Sequence, residues 1–402
     1  MRKFLVILAV LLIAAAGIIW WQTSERPAQA QTQASLLPLL SEEDTAGFAR
    51  ATEPGAVEFP RDLGPHPDFQ VEWWYYTGNL HTADGRRFGY QLTFFRRALP
   101  SEQEMSGGQS LTTTSRSPSA WRPSQIYLAH FTVTDVDGEA FYVDERFSRG
   151  ALGLAGAQAE PYHVWLEDWS VEQVEPFDNG VPDVVRLTAQ AEEVAIDLRL
   201  KTTMPPILHG DAGLSSKGPE EGNASYYYSI VQQETSGMVT VHDETFSVTG
   251  ISWKDHEYST SALSPGAIGW DWFSLQLDNG AALMFFQIRR EDGTLQRESS
   301  GTFIYPDGRT EHVTLEMWNV EVTDTWTSPH SGAEYPAGWR IRIPQLDLVL
   351  EGRPWLADQE LNVSTVYWEG AVAFQGTWQG RDVTASGYIE LTGYAEAMQG
   401  RL

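Results

Sequence analysis

The chain has no cysteine. That excludes disulfides, thiolate metal sites and a cysteine nucleophile together. Basic residues are also scarce: 27 Lys+Arg stand against 54 Asp+Glu, a formal net charge of −27. A surface of that sign excludes nucleic acid as the main partner, because phosphate binding needs a basic face. Peripheral docking on anionic lipid is excluded for the same reason. No Gly-x-Ser-x-Gly elbow, phosphate-binding Gly-rich loop or dinucleotide fingerprint occurs. The 9 histidines include no His-x-His or His-x-x-x-His pair. His256-Glu257 opens a His-Glu-x-x-His zinc pattern, but Thr260 stands at its fifth position. No cofactor and no metal are expected.

What the chain has in quantity is aromatic side chain, 12% of residues with 16 Trp among them. Its 402 residues suggest two domains. Met1-Arg2-Lys3 is followed by an apolar run from Phe4 to Trp21, then a polar stretch and Ala28-Gln29-Ala30. This is the layout of a secretory signal, and the run is also long enough to serve as a membrane anchor. Residues 1–30 are therefore read as a signal peptide or anchor. The body is expected outside the cytoplasm, periplasmic or secreted, and touching membrane only through that segment. Without residues 1–30 the body carries −29, since three basic and one acidic side chain go with them. Residues 31–60, rich in Ala, Gln, Glu and Pro, read as a linker. Ser41 to Arg50 could equally form a short helix or plain linker.

Helical periodicity is scarce after residue 60. Short alternating runs recur instead, joined by Asp-Gly or Asn-Gly turns at Asp84-Gly85, Asp137-Gly138, Asn279-Gly280, Asp292-Gly293 and Asp307-Gly308. Such pairs between alternating runs are hairpin signals, and many of them indicate antiparallel sandwiches or barrels. Two stretches look like copies: Trp74 to Arg97, and Trp272 to Arg290. Thr249-Gly-Ile-Ser-Trp253 similarly echoes Ser386-Gly-Tyr-Ile-Glu390. The repeat suggests two β-domains of related build, at residues 61–262 and 263–402.

His66-Pro67-Asp68 leading to Glu72-Trp73-Trp74-Tyr75-Tyr76 is an unusual run. With it go Gly89 to Arg96, Gly250-Ile-Ser-Trp253-Lys-Asp255-His256-Glu257, Trp270-Asp271-Trp272, Tyr367-Trp368-Glu369-Gly370 and Gly387 to Tyr394. Together they resemble the AttH/CrtC family, which includes AttH-like predicted secreted hydrolases and carotenoid 1,2-hydratases. The resemblance spans roughly residues 60 to 396. It implies an all-β fold of two tandem lipocalin-like antiparallel β-barrels. It also raises carotenoid hydration as one activity, which a shared fold does not by itself transfer.

Among candidate site residues Asp271 stands first. On a strand it shares a face with Phe273, Leu275 and Leu277. A carboxyl against apolar walls is pushed towards its neutral form and can protonate an alkene; the alternative is a carboxylate paired with an arginine. Trp253, Tyr258, Trp270 and Trp272 could offer ring faces to a carbocation, or could be ordinary core. Asp255 with His256 reads either as acid–base machinery or as a polar knot between domains. On a continuous strand Asp255 and Glu257 face one way and His256 the other. Glu72, alternating with Trp74, is expected to pair with Arg96 and to fix the domain rather than react. His130 could line a cavity or be a satisfied structural histidine.

Two functions follow. One is an exported enzyme that hydrates a C=C bond of an isoprenoid, carotenoid or lipid-like substrate, with Asp271 as acid and Asp255 and His256 assisting. The other is a non-catalytic carrier of a hydrophobic small molecule, or an accessory protein of an envelope transport system.

Overall fold

The alternating runs become antiparallel strands, and among the described residues there is no α-helix. The computed structural model describes residues 45–398 apart from 46, 100–124, 179 and 262. The signal or anchor segment and most of the linker lie outside them. Residues 47–50 form no helix.

The first part of the chain carries β1 (Val71–His81), β2 (Arg87–Ala98), β3 (Gln125–Asp135), β4 (Ala140–Arg149), β5 (Ala155–Gln158), β6 (His163–Leu166) and β7 (Trp169–Gln173). It continues through β8 (Phe177–Asp178), β9 (Val181–Pro182), β10 (Val184–Gln190), β11 (Val194–Thr202), β12 (Ile207–Leu208), β13 (Leu214–Ser216), β14 (Ala224–Val241) and β15 (Glu244–Ser259). The second part carries β16 (Ala267–Leu277), β17 (Ala282–Arg290), β18 (Ser300–Ile304), β19 (Thr310–Thr314) and β20 (Asn319–Thr327). It ends with β21 (Glu334–Ile343), β22 (Leu348–Pro354), β23 (Glu360–Asn362), β24 (Val366–Trp378) and β25 (Arg381–Leu391).

One sheet runs β4-β3-β2-β1-β15-β14-β11-β10-β7-β6-β5 and the other β19-β18-β17-β16-β25-β24-β22-β21-β20. Together they form a nearly closed barrel plus a half-barrel. The five Asp-Gly and Asn-Gly pairs named above sit between antiparallel neighbours of these sheets.

The internal repeat is visible in this order. β1 lies between β2 and β15 as β16 lies between β17 and β25. Gly250 and Gly387 mark equivalent points: a Cβ on Gly250 would come within 2.1 Å of Asn79 O, and one on Gly387 within 1.8 Å of Ser274 O. Strands that approach this closely require glycine. The detailed correspondence differs from the sequence expectation. Leu80 lies opposite Gly250 and Leu275 opposite Gly387. Trp74 and Trp272 are therefore not equivalent, and they sit on opposite faces of their sheets.

The faces explain the apolar runs. Trp74, Tyr76, Leu92 and Phe94 fill the first barrel. Phe273, Leu275, Phe285 and Trp339 fill the second. The alternate positions of the central strands are apolar too, and Tyr75, Trp253, Trp272, Phe286, Ile288 and Tyr388 make a third cluster between the sheets. Asn79 Nδ2 donates to Gly387 O at 3.2 Å across this layer. Gln276 Nε2 donates to Val231 O at 2.7 Å. Much of the tryptophan excess is thus ordinary core.

The end of the expected linker is packed rather than free. Ala51 and Val57 join the first core, and Gly55 N donates to Ala212 O at 3.0 Å. Their apolar side chains find a groove on the barrel, which outweighs the polar composition around them.

Lys254 faces into the first barrel with no carboxylate partner among the described residues. Lys254 is buried, its Nζ 3.3 Å from Tyr228 Oη and 4.7 Å from the ring centre of Tyr162. Burial pushes its ammonium down to about 7. Between pH 7 and its unfolded value of 10.5 the unfolded chain binds the additional proton, so stability rises with pH across that window. Lys254→Met is expected to raise stability by about 1–2 kcal/mol at pH 6. Urea melts should show that gain shrinking towards pH 10.

Candidate functional site: an acid-lined cavity between the two sheets

The strand parity that fills both barrels also aims a second set of side chains into the space between them. A cavity of about 240 Å³ lies there. The first sheet contributes Trp73 and Tyr75 from β1, Phe95 from β2, Tyr227 from β14, and Asp255 with Glu257 from β15. The second contributes Trp270 and Trp272 from β16, Phe286 from β17, Glu369 from β24 and Glu390 from β25. The walls are largely apolar, with many aromatic rings, and the polar groups include the carboxyls of Asp255, Glu257, Glu369 and Glu390 beside the basic side chains of His130 and Lys217.

Three of those carboxyls lack a cationic partner among the described residues. Burial pushes Asp255 up to about 7. Its Oδ1 accepts from Tyr227 Oη at 2.9 Å and from Ser229 Oγ, while Oδ2 is buried with no hydrogen-bond partner among the described residues. Burial likewise pushes Glu390 up to about 7, against the single Nε1–H of Trp270 at 3.0 Å. Glu369 stands directly across the β24–β25 ladder from Glu390. Burial, and then the charge of Glu390, hold its carboxyl well above the usual range. Carboxyls crowded into a low-dielectric space retain protons that water would remove. Glu257 differs, since Lys217 Nζ pairs with it at 2.9 Å.

Several of the expected site residues are here. Asp255, Trp270 and Trp272 line the cavity, and so does His130. The His130 Nδ1 lies 2.7 Å from Tyr367 Oη and its Nε2 lies 3.0 Å from Glu145 Oε1. Trp253 packs in the apolar layer beside them.

Others are elsewhere. Asp271, expected as the acid, faces the second barrel. It accepts from Arg289 Nε at 2.8 Å, Gln287 Nε2 at 2.9 Å and Tyr394 Oη at 3.1 Å. A carboxyl with a guanidinium and two further donors on it is an ion pair, and it does not reach the cavity. Arg289→Met is expected to cost about 1–3 kcal/mol of stability in a urea melt.

His256 does not assist Asp255. The strand stays regular through both residues, so their side chains point to opposite faces. His256 Nε2 donates to Glu72 Oε1 at 2.8 Å, and its Nδ1 accepts from Tyr228 Oη at 2.8 Å. Trp74 belongs to the first core, with Nε1 donating to Leu63 O at 3.1 Å. Tyr258 is at that barrel's mouth, stacked 3.5 Å from His66.

Glu72 and Arg96 form the expected pair, with Nε donating to Oε2 at 2.8 Å and both side chains fully buried. Both are also among the residues lining the cavity, but their hydrogen bonds tie them into a knot with His66 and His256. Burial acts to raise Glu72, but the bonds from His256 and His66 outweigh it and hold the carboxyl well below its usual range. His66, Glu72 and His256 have metal-ligand spacing. Each contact is already a 2.7–2.8 Å hydrogen bond onto Glu72 Oε1, with Arg96 on the other oxygen, so hydrogen bonding accounts for the group.

The residues that sequence reasoning missed are Tyr75, Tyr227, Ser229, Glu369 and Glu390. Glu369 and Glu390 both stood inside motifs already noticed. The rule that singled out Asp271 would have found Glu369, which alternates with Tyr367, Ala371 and Ala373, but not Glu390, which alternates with Tyr388, Ser386 and Thr384.

The fold and this cavity define a tandem β-barrel protein with an acid-lined aromatic cavity between its sheets. The chain belongs to the AttH-like family, whose pattern matches residues 50–394. An AttH structure from Nitrosomonas europaea is 34% identical, with a TM-score of 0.73, covering 86% of this chain and 100% of that one. Kievitone hydratase from Nectria haematococca shares the fold at 14% identity, with a TM-score of 0.63, covering 87% and 98%. The dehydratase asqC of Emericella nidulans is 22% identical over 230 residues, 54% of this chain. The chain spans 63% of that relative's length.

Proposed function

We propose that this protein is a hydro-lyase that adds water to, or removes it from, a carbon–carbon double bond of a largely apolar substrate. The observation that carries the reading is the set of buried carboxyls with no cationic partner among the described residues, Asp255, Glu369 and Glu390, inside a cavity rich in aromatic rings. Support comes from relatives named as a hydratase and a dehydratase. Isoprenoid, polyene and other lipid-like molecules fit such walls. The N-terminal charge and apolar run support a place outside the cytoplasm.

In the hydration direction a protonated carboxyl gives its proton to one alkene carbon, and the π electrons form the new C–H bond. The adjacent carbon becomes cationic against the ring faces of Trp270 and Trp272 and the carboxylate just formed. Water adds there, and a second carboxylate takes its proton. Dehydration is the reverse, with the acid protonating the departing hydroxyl.

The test is incubation with a neutral lipid extract in ¹⁸O-labelled water, followed by mass spectrometry. A compound that gains labelled water, or loses one water, supports the reading. A compound that binds and returns unchanged supports the carrier instead.

A further inference from the structure

The two oxygens of Asp255 have different surroundings. The well-formed hydrogen bonds end on Oδ1, while Oδ2 is buried and has none of that geometry among the described residues, with the Trp253 indole beside the carboxyl favouring its charged form more weakly. The direction of each bond on Oδ1 can be worked out from groups that only donate.

Trp272 Nε1 carries a proton and no lone pair, so at 3.0 Å from Tyr227 Oη it must donate. The single phenolic proton of Tyr227 is then free to go to Asp255 Oδ1 at 2.9 Å. An oxygen that accepts from a phenol is the carbonyl oxygen of the acid, the better acceptor of the two. Ser229 Oγ meets that same oxygen and donates to it as well. Having used its proton there, Ser229 accepts at its 2.6 Å contact with His209 Nε2. His209 thus carries its proton on Nε2, and its Nδ1 accepts from Thr302 Oγ1 at 2.9 Å. A neutral imidazole meets this pattern with one proton. His209 is fully buried, and burial pushes it down to about 3.

We infer that His209 and Ser229 are positioning residues that, together with Trp272 and Tyr227, hold Asp255 Oδ1 as the acceptor and leave the transferable proton on Oδ2. The catalytic meaning of this rests on the hydro-lyase reading. Trp272 lies on β16 and Thr302 on β18, so both donor chains start in the second sheet and end on an acid of the first. The seating of one sheet on the other thereby sets which oxygen of Asp255 is the acid. The Tyr227 ring lies 4.4 Å from that of His209, tilted at 46°, and closes the arrangement from the side. The charged and titratable groups facing this chain are Glu257 and Glu369 near Asp255, and Lys217 and His312 near His209. Lys254 precedes Asp255 on the opposite face.

The test needs no substrate. Histidine-selective ¹⁵N NMR of the whole protein, with His209→Gln to assign the signal, should show the Nε2–H tautomer from pH 5 to 9. Infrared titration should show a protonated-carboxyl band that Asp255→Asn removes. Ser229→Ala should raise the midpoint of that band by about one pH unit, because it removes a donor that favours the carboxylate. His209→Ala should raise it too, whereas His209→Gln, whose amide can still donate, should leave it near the wild-type value. An Nδ1–H tautomer, or a midpoint that ignores Ser229→Ala, overturns this inference alone. Absence of any protonated Asp255 band at pH 5.5 overturns it together with the acid chemistry proposed above.

Discussion

Asp255→Asn is expected to keep the fold and lose the chemistry. The amide has nearly the shape of the carboxyl, and its oxygen can still accept from Tyr227 and Ser229 at the Oδ1 position. What it cannot do is release a proton. A positioned general acid contributes typically about 10²–10⁴-fold, and a drop of that size in kcat is expected once a substrate is in hand, with KM little changed. Stability should move the other way. Asp255 has its folded value raised from 3.8 to about 7 by burial. Its contribution is therefore fully present below pH 4 and is lost as pH rises through 7. Above that the wild type holds a buried carboxylate at a cost on the order of 4 kcal/mol, which the amide avoids. Urea melts should find the variant close to wild type at pH 4 and more stable at pH 8. A variant equally destabilised at both values would show that Asp255 serves the fold and is not a poised acid.

How much of this could be read from the chain follows from what local pattern encodes. The hairpins were legible because Asp-Gly and Asn-Gly pairs fix a turn within four residues, and the family because Glu72 to Tyr76 and Trp253 to Glu257 are unusual runs. The Glu72–Arg96 pair was legible because both sit at the end of an apolar stripe on adjacent strands, where antiparallel register brings them opposite each other. The choice of acid was not legible. Asp271 ends an apolar stripe and Glu390 follows Tyr388, Ser386 and Thr384 on its own face, although β16 and β25 are direct neighbours. One meets Arg289 and the other meets only an indole, a difference set by which face of a twisted sheet meets the opposite barrel. Period-two alternation does say that Asp255 and His256 diverge. It does not say which of the two faces a partner domain covers, and that decides which residue belongs to the cavity.

The same logic fixes what should happen on the opposite face. Arg96→Met is expected to cost about 3–5 kcal/mol, because it strands a buried carboxylate rather than exchanging one contact for another. Arg96 Nε holds Glu72 Oε2 at 2.8 Å, and its Nη2 donates to His66 O at 2.7 Å and Phe69 O at 2.9 Å. The guanidinium thus ties the segment entering β1 to the sheet as well as neutralising charge. Glu72→Gln combined with Arg96→Met should recover part of the loss, and the size of that recovery measures the coupling in the pair. Acid provides the independent check. Glu72 is held well below its ordinary value of 4.5, so its contribution is present above that value and lost as pH falls towards the folded one. The wild type should therefore lose stability more steeply below pH 4.5 than the double variant, which has no carboxylate at this position to protonate. If urea midpoints of the two fall in parallel through that range, the knot is not where the acid sensitivity of the first barrel resides, and burial of Trp74 and Tyr76 would have to hold that end of the barrel without it.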